Sequence, residues 1–521
     1  METALSPIMC DYATRTKCDL VYLADVRNVM NNRNNSEELK YYWEEYRRKN
    51  DNIGHYVFPE FVDLWVKAAN DTRETPVEFL YNSYADGTMS TNIQIVMDEL
   101  MPFYKEFHAH VRHKLNKKYG DNVVFKTGLI PHHLFEILTL QAWKKESPLE
   151  HAYPEKRLPN ILAGMEKEGL DADKIVQIAE DYYKSMGFEP LSEKIKTNFQ
   201  KLPGKKSASV ECRGQVYDQT PNVRMEYCPQ VHFKKFLQMH GYLGRVHYGY
   251  EKRDLPFSMF NSYNFEDAVG EAIILSASCP ENIVKQGFVS ETTYTKELDM
   301  NRLFRMGVHT MFNIPVYYVH VKLFEDLLNG VTNFDDINIH YWNLMEKYAG
   351  VEPPFDRNYT SFDLPVKFYE DIQLNRLVTK FVSEILGYQI YDSLCKIANK
   401  YGENAETADD LHNCNLEGSV IVGQVLHEMM SKGSKKPWRK ILEIVTGNDQ
   451  GISSVGVLNY YKPLREWLQR DLQSNGIIPG WDKSNRVLDG NRNSPGLLFR
   501  SYDLPTIRFN HTSSFNHANA V

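Results

Sequence analysis

The chain has 521 residues, of which 42% are hydrophobic and 25% are charged, and its formal net charge is −8. This composition is typical of a large folded protein, and an acidic chain without basic clusters is a poor candidate for nucleic-acid binding. No run of 18 apolar residues occurs, so we expect no membrane span within this chain. The first residues also lack the apolar core of a signal peptide.

Helical periodicity dominates from the first part of the chain to the last. Amphipathic patterns predict helices over 36–49, over 97–120 and over 463–476, and the last two end in glycine, a common helix stop. Residues 216–228 alternate around a Thr-Pro-Asn turn and predict a β-hairpin. We therefore predict a mainly α protein with few short strands.

The C-terminal part differs in composition from the rest. From residue 484 onward the chain is rich in asparagine, serine and arginine, which predicts a flexible tail. The predicted organisation is a single helical domain over 1–483 followed by a tail over 484–521.

The missing signal peptide favours a cytosolic protein, whereas the seven cysteines and four Asn-x-Ser/Thr sequons favour a secreted one, so composition alone leaves the compartment open. Three cysteine pairs are close enough for local disulfides, although spacing alone does not fix their connectivity. Sequons matter only in a chain that enters the secretory pathway. The pairs are Cys10/Cys18, Cys212/Cys228 and Cys395/Cys414, Cys279 is left over, and the glycosylation candidates are Asn34, Asn70, Asn358 and Asn510.

Three histidines, His108, His110 and His113, lie within one helical pattern. Spacings of two and three residues on a helix do not direct the imidazoles at one metal ion. We expect a solvent-exposed helix face here.

Two stretches later in the chain have the surroundings of a zinc site without its ligands. A zinc peptidase of the H-E-x-x-H type places two histidines on one helix face with a glutamate as general base, and a later helix adds an acidic ligand. This chain has no H-E-x-x-H motif, yet it reads HYGYEKRDLP at 247–256 and FEDAVGEAIILSASCPENI at 265–283. Further landmarks are GLIPHHL (128–134), RNYTSFDLPVKF (357–368), GSKKPW (433–438) and NYYKPLREWLQ (459–469).

With these motifs the chain resembles the angiotensin-converting enzyme family of peptidyl-dipeptidases, a gluzincin family, over nearly its whole length. The resemblance implies a large two-lobed helical fold around a deep central cleft, and it implies that all three cysteine pairs are disulfides. It also implies that the N-terminal lid helices of the family are missing from this chain. The expected location of the full-length form is extracellular, secreted or membrane-tethered.

The resemblance places the two zinc histidines at Gly241 and Arg245, the catalytic glutamate at Tyr242, and the third ligand at Asp267, with Glu266 as the alternative because the spacing is shorter than in the family. Glycine offers no ligand atom, tyrosine is not a base near neutral pH, and arginine is a permanent cation. We therefore expect no bound zinc and no hydrolysis by the family mechanism.

Other family positions also differ. The oxyanion-stabilising tyrosine of the family falls at Lys380 and a chloride-site arginine at Thr379, so we expect the activating chloride to be absent too. A substrate-gripping histidine falls at Arg213. Gln141 and Lys367 match residues that hold the substrate's C-terminal carboxylate, and the alternative is that both are surface or hinge polar residues.

The favoured hypothesis is a pseudopeptidase that binds a peptide or protein partner, or serves as an extracellular scaffold. One alternative is an active zinc peptidase with a rearranged metal site built from His240, His247 and Glu266. A second alternative is a structural module with a collapsed cleft. Within the favoured hypothesis, the Arg245 guanidinium replaces the charge of zinc and pairs with Asp267 or Glu266.

Overall fold

The computed structural model of the protein describes most of the chain from residue 30 to residue 489. The described residues are 30, 33–52, 57–84, 87–135, 151–203, 212, 214–219, 222–261, 263–358, 361–365, 368, 372, 376–402, 410–482 and 488–489. Helices make up most of them, and the strands are few and short. The predicted mainly α class is confirmed.

The helices follow one another along the chain with short connections. In the first half they are α1 (Ser36–Asn52), α2 (Phe58–Asp71), α3 (Pro76–Tyr81), α4 (Met89–Tyr119), α5 (Ile161–Lys167), α6 (Ala172–Ser185), α7 (Glu193–Lys196) and α8 (Phe233–Glu251). In the second half they are α9 (Phe265–Ala277), α10 (Pro280–Lys285), α11 (Lys296–Leu328), α12 (Ile337–Leu344), α13 (Leu377–Ile397), α14 (Val420–Met430), α15 (Trp438–Thr446), α16 (Val455–Tyr460) and α17 (Lys462–Ser474). Three short 3₁₀ segments (Phe257–Met259, Glu291–Thr293 and Leu411–Asn413) and a π-helical turn (Met345–Ala349) complete them.

The strands form small sheets of two or three members. They are β1 (Ile130–Pro131), β2 (Phe199–Lys201), β3 (Gln215–Gln219), β4 (Asn222–Tyr227), β5 (Val351–Glu352), β6 (Arg357–Asn358) and β7 (Leu488–Asp489). β4 is the centre of the three-stranded sheet, parallel to β2 and antiparallel to β3. The predicted hairpin over 216–228 is thus confirmed as β3 and β4, although its turn at 220–221 lies outside the described residues.

The three predicted helices correspond to α1, α4 and α17. α4 ends at Gly120, whose φ of 83° is a conformation that suits glycine and stops the helix. α17 has a proline in its first turn, where the missing N–H has no helical partner to lose. α4 begins earlier than predicted, at Met89, because the buried Met89, Ile93 and Val96 continue its apolar face.

The histidines of α4 do not form the solvent-exposed face that we predicted. His108 and His110 are buried, since α4 packs against α11 and α17. His108 Nε2 donates to the carbonyl of Gly350 at 2.9 Å, and His110 Nδ1 donates to the carboxylate of Asp471 at 2.7 Å. The prediction is wrong for these two residues because each finds an acceptor on a neighbouring segment, which satisfies one of its ring nitrogens in the buried position.

Two of the three implied disulfides are present. Cys212 is bonded to Cys228 and Cys395 to Cys414, with Cα–Cα distances of 5.8 and 6.2 Å. Cys279 is a buried free thiol. The third pair, Cys10 and Cys18, lies outside the described residues.

The ends of the predicted domain are described only in part. Of the predicted tail over 484–521, the structure describes Leu488–Asp489, which pair in parallel with Arg357–Asn358 of β6. Across the described helices, none combines the length and apolar character needed to cross a membrane.

Candidate functional site

The candidate site lies where α8, α9 and α13 pack together. α9 is in the middle, in contact with α8 on one side and α13 on the other, and most of its residues are buried. Its first turn contains Glu266 and Asp267, and acidic residues are favourable there because the N-terminus of a helix carries partial positive charge. All of the sequence-predicted zinc and base positions fall on α8 and α9.

Glycines allow α8 and α9 to approach each other closely. A Cβ atom added to Gly241 would lie 2.7 Å from Ile274 Cδ1, and one added to Gly270 would lie 2.9 Å from the carbonyl oxygen of Gly241. Both contacts are shorter than real Cβ atoms tolerate. The position of the first expected zinc histidine is therefore occupied by a helix–helix contact.

One turn after Gly241, Arg245 forms an ion pair with Asp267. Its Nη2 lies 2.8 Å from Oδ1 of Asp267, and the two side chains are 29% and 23% exposed. Of the two carboxylates that the sequence left as alternatives, Asp267 is the one that forms this pair. The ion pair joins the second expected histidine position to the expected third-ligand position.

Tyr242, at the expected position of the catalytic glutamate, faces the hairpin. Its hydroxyl donates to the carbonyl of Gly214 at 2.9 Å, and a Cβ atom on Gly214 would lie 2.9 Å from the tyrosine ring. Gly214 follows the disulfide-bonded Cys212 and precedes β3. Burial raises the pKa of Tyr242, and the positive charge of Arg245 opposes that rise. The side chain thus stays protonated at neutral pH and ties α8 to the hairpin.

Two carboxyl groups lie beyond this pair, Glu271 on α9 and Glu384 on α13. Both are partly buried, and both interact electrostatically with Lys380. Sequence analysis did not single out Glu384. The available signal was a single acidic residue within the otherwise apolar stretch FVSEILGY (381–388), where a charge costs free energy unless it is compensated.

His240 and His247, the candidates for a rearranged metal site, pack on another side of α8. The His240 ring contacts Tyr182 of α6, with ring centroids 5.3 Å apart, and the His247 ring stacks on Tyr183 at 4.7 Å. Burial lowers the pKa of His240 to about 4 and that of His247 to about 3. The structure places both histidines among aromatic residues of α6 and not beside the Arg245–Asp267 pair.

Across the described ranges, no three histidine, cysteine, aspartate or glutamate side chains are grouped so that they could hold a metal ion. The possible peptide-binding residues Gln141, Arg213 and Lys367 lie outside the described residues, so their roles stay predictions.

The glycosylation candidates are described in part. Asn34 and Asn70 are exposed, the backbone of Asn358 lies in β6, and Asn510 lies outside the described residues. An exposed asparagine can be glycosylated, but exposure is not evidence that it is, so glycosylation stays a prediction.

Comparison with known proteins extends the similarity to nearly the whole chain. A family model described as angiotensin-converting enzyme matches residues 1–481. The chain is 30% identical over 470 residues to the angiotensin-converting enzyme of Haematobia irritans exigua, which covers 88% of this chain and 76% of that protein. It is 26% identical over 484 residues to the angiotensin-converting enzyme-related protein of Drosophila melanogaster, covering 92% and 76% of the two chains. With the angiotensin-converting enzyme of Mesocricetus auratus it shares 28% identity over 481 residues, covering 88% of this chain and 35% of that protein.

Proposed function

The chain belongs to the angiotensin-converting enzyme family of peptidyl-dipeptidase metallopeptidases, and from that premise we propose that it is a catalytically inactive member that binds a peptide or protein partner. The observation that carries this proposal is the ion pair between Arg245 and Asp267, at 2.8 Å. A carboxylate that already has a permanent cation beside it has no unbalanced charge to offer a metal ion, and the guanidinium repels Zn²⁺.

The residues at the other two positions also do not fit zinc and its general base. Gly241 contributes no ligand atom, and its surroundings leave no room for a larger side chain unless Ile274 moves. Tyr242 is hydrogen-bonded to the carbonyl of Gly214, and its raised pKa keeps it protonated at neutral pH. These positions would therefore supply neither a bound zinc ion nor a general base to activate a water molecule.

One expected peptide-binding residue is adjacent in sequence to the hydrogen-bond partner of Tyr242. From the family resemblance we expect Arg213 at the position of a residue that grips the substrate backbone, and the carbonyl of the next residue, Gly214, accepts a hydrogen bond from Tyr242. We propose that the partner binds in the former peptide cleft, with Gln141 and Lys367 holding a C-terminal carboxylate. The two observed disulfides support an extracellular location, since such bonds persist in oxidising compartments.

The lack of catalysis is tested by metal content and by turnover. We expect the purified, disulfide-intact protein to hold well below one zinc per chain by mass spectrometry after dialysis against trace zinc. We also expect no release of the C-terminal dipeptide from a blocked tripeptide, with the enzyme of Haematobia irritans exigua as positive control. One tightly held zinc per chain together with dipeptide release would overturn the proposal.

The cleft as the binding surface is tested with a fluorescent tripeptide that carries either a free or an amidated C-terminus. Loss of a charge-assisted hydrogen bond costs about 1.5–3 kcal/mol, so we expect amidation to weaken binding at least about tenfold. K367A should remove this preference, and K435A, which changes an exposed lysine elsewhere, should leave it intact. Equal binding of the two peptides, or binding of neither, would contradict the cleft as the binding surface.

A further inference from the structure

α13 is a mostly buried helix that carries charged residues on a face in contact with α9. Lys380, Glu384 and Gly387 follow one another at spacings of four and three residues, so they share one face of the helix. A Cβ atom added to Gly387 would lie 2.7 Å from Cβ and 2.8 Å from Cγ of Glu271. The stem of Glu271 therefore packs directly on this face, one turn from Glu384.

The groups that interact electrostatically with one or both carboxyls come from each of the helices at this junction and from the chain after α16. Two are cations, one is a further carboxylate, and two are buried tyrosines whose raised pKa keeps them neutral. They are Arg245 of α8, Lys380 of α13, Asp267 of α9, Tyr388 of α13 and Tyr461 after α16.

Among the described residues at this junction, the cations do not balance the carboxylates if every acid is ionised. Arg245 pairs with Asp267 and also acts on Glu271, and Lys380 acts on both Glu271 and Glu384, so these two cations face three carboxyl groups. Two like charges on facing helices are costly in a partly buried position, and one bound proton removes the excess. We propose that Glu271 and Glu384 hold one proton between them at neutral pH and thereby form a pH-sensitive contact between α9 and α13.

Burial and neighbouring charge support this arrangement. Burial raises the pKa of Glu271 to about 7, an effect that Arg245 and Lys380 oppose and Asp267 reinforces. Burial also raises the pKa of Glu384 to about 8, with the charge of Glu271 adding to the rise and Lys380 opposing it.

The stability that the contact contributes therefore depends on pH with a defined sign. In the unfolded chain both carboxyls titrate near 4.5, whereas in the folded protein they keep protons to higher pH. Between these limits the folded state binds more protons, so stability falls as pH rises and the loss is complete above about pH 8. Asp267 lies one turn before Glu271 on α9, and Glu271 interacts electrostatically with both Asp267 and Arg245. A change in the protonation of Glu271 therefore also changes the charge beside this ion pair.

Infrared spectroscopy in D₂O reads the proton directly, since a protonated carboxyl absorbs apart from a carboxylate. We expect a carboxylic-acid band that is present at pH 6, disappears by pH 9 and has its midpoint between about pH 7 and 8, values set by the pKa shifts. E384Q should remove the part of this band that one carboxyl group contributes, and E271Q should do the same. E466Q, at an exposed position on α17, should leave the band unchanged. Absence of any band that titrates above pH 6, or a band that survives unchanged in both E271Q and E384Q, would overturn the proposal.

Thermal unfolding provides the second readout. We expect the Tm of the unmodified protein to fall by about 3 °C between pH 6.5 and pH 8.5, and the fall to be at least halved in E384Q. The glutamine keeps the shape of the side chain and removes its titration, so a folded variant with a smaller slope is the supporting result. A slope that is unchanged in both E384Q and E271Q would contradict the pair as its source.

Discussion

Arg245 on α8 and Asp267 on α9 meet with Nη2 2.8 Å from Oδ1, at two positions where the family resemblance expects metal ligands. The pair keeps a positive charge beside a carboxylate without a metal ion. Because both side chains are partly exposed, solvent screens the attraction between them. The main effect of the pair is to offset the negative charge of Asp267 next to the other acidic residues of α9.

R245A should destabilise the protein by about 1 kcal/mol, because Asp267 is then left without its counter-charge. Chemical denaturation measures the change. The double variant R245A/D267N should recover most of the loss, since it removes the unbalanced carboxylate as well. R470A, at an exposed position on α17, is the matched control. Equal losses in R245A and R470A would show that the pair contributes nothing measurable.

G241A should cost about 1 kcal/mol or less, since the added methyl group would lie 2.7 Å from Ile274 Cδ1, the movable end of a side chain in the contact between α8 and α9, and alanine is the better helix former. Shortening the neighbour in G241A/I274V should recover part of this free energy of unfolding. G87A is the control, because a Cβ atom at Gly87 meets nothing within 4 Å. If G241A unfolds at the same denaturant concentration as G87A, the two helices have room that the structure does not show.

Y242F should lower the free energy of unfolding by about 1 kcal/mol, because the carbonyl of Gly214 loses its hydrogen-bond donor. Hydrogen exchange should increase in β3 and β4, which follow Gly214, and stay unchanged in α17. Y119F, which removes a hydroxyl at the end of α4, serves as the control. Unchanged exchange in the hairpin would mean that Tyr242 does not hold it to α8.

The elements that could be predicted from sequence are those with local signals. Periodicity and stop residues indicated α1, α4 and α17, and alternation around a turn indicated the β3–β4 hairpin. The motif register brought Arg245 and Asp267 to one site because both positions are fixed by sequence landmarks. The choice between Asp267 and Glu266 needed the structure, because adjacent helical residues point about 100° apart and only one can face Arg245.

The burial of individual polar residues could not be predicted in the same way. Nothing in the pattern of α4 distinguishes His108 from an exposed histidine, since its burial depends on the carbonyl of Gly350, 242 residues away. Glu384 is a similar case, because Glu271, the second carboxyl, comes near it only after α9 and α13 pack. Long-range partners decide such positions, and a single sequence does not display them.

The buried histidines of α8 predict a loss of stability in acid. Burial lowers the pKa of His247 to about 3, whereas in the unfolded chain it titrates near 6.5. Below pH 6.5 the unfolded state therefore binds a proton that the folded state refuses, and stability falls as the pH is lowered towards 3. This slope is opposite in sign to that of Glu271 and Glu384, so we expect maximal stability near pH 6–7.

H247F tests this prediction, because phenylalanine can keep the stacking on Tyr183 and has no titrating nitrogen. Among the described residues neither ring nitrogen of His247 has a hydrogen-bond partner, so the substitution breaks no hydrogen bond to any of them. We expect H247F to match the unmodified protein at pH 7.5 and to exceed it by about 1–2 kcal/mol at pH 5. H427F, which changes an exposed histidine on α14, should give no such gain. A parallel pH dependence of H247F and the unmodified protein would show that His247 already titrates freely in the folded state.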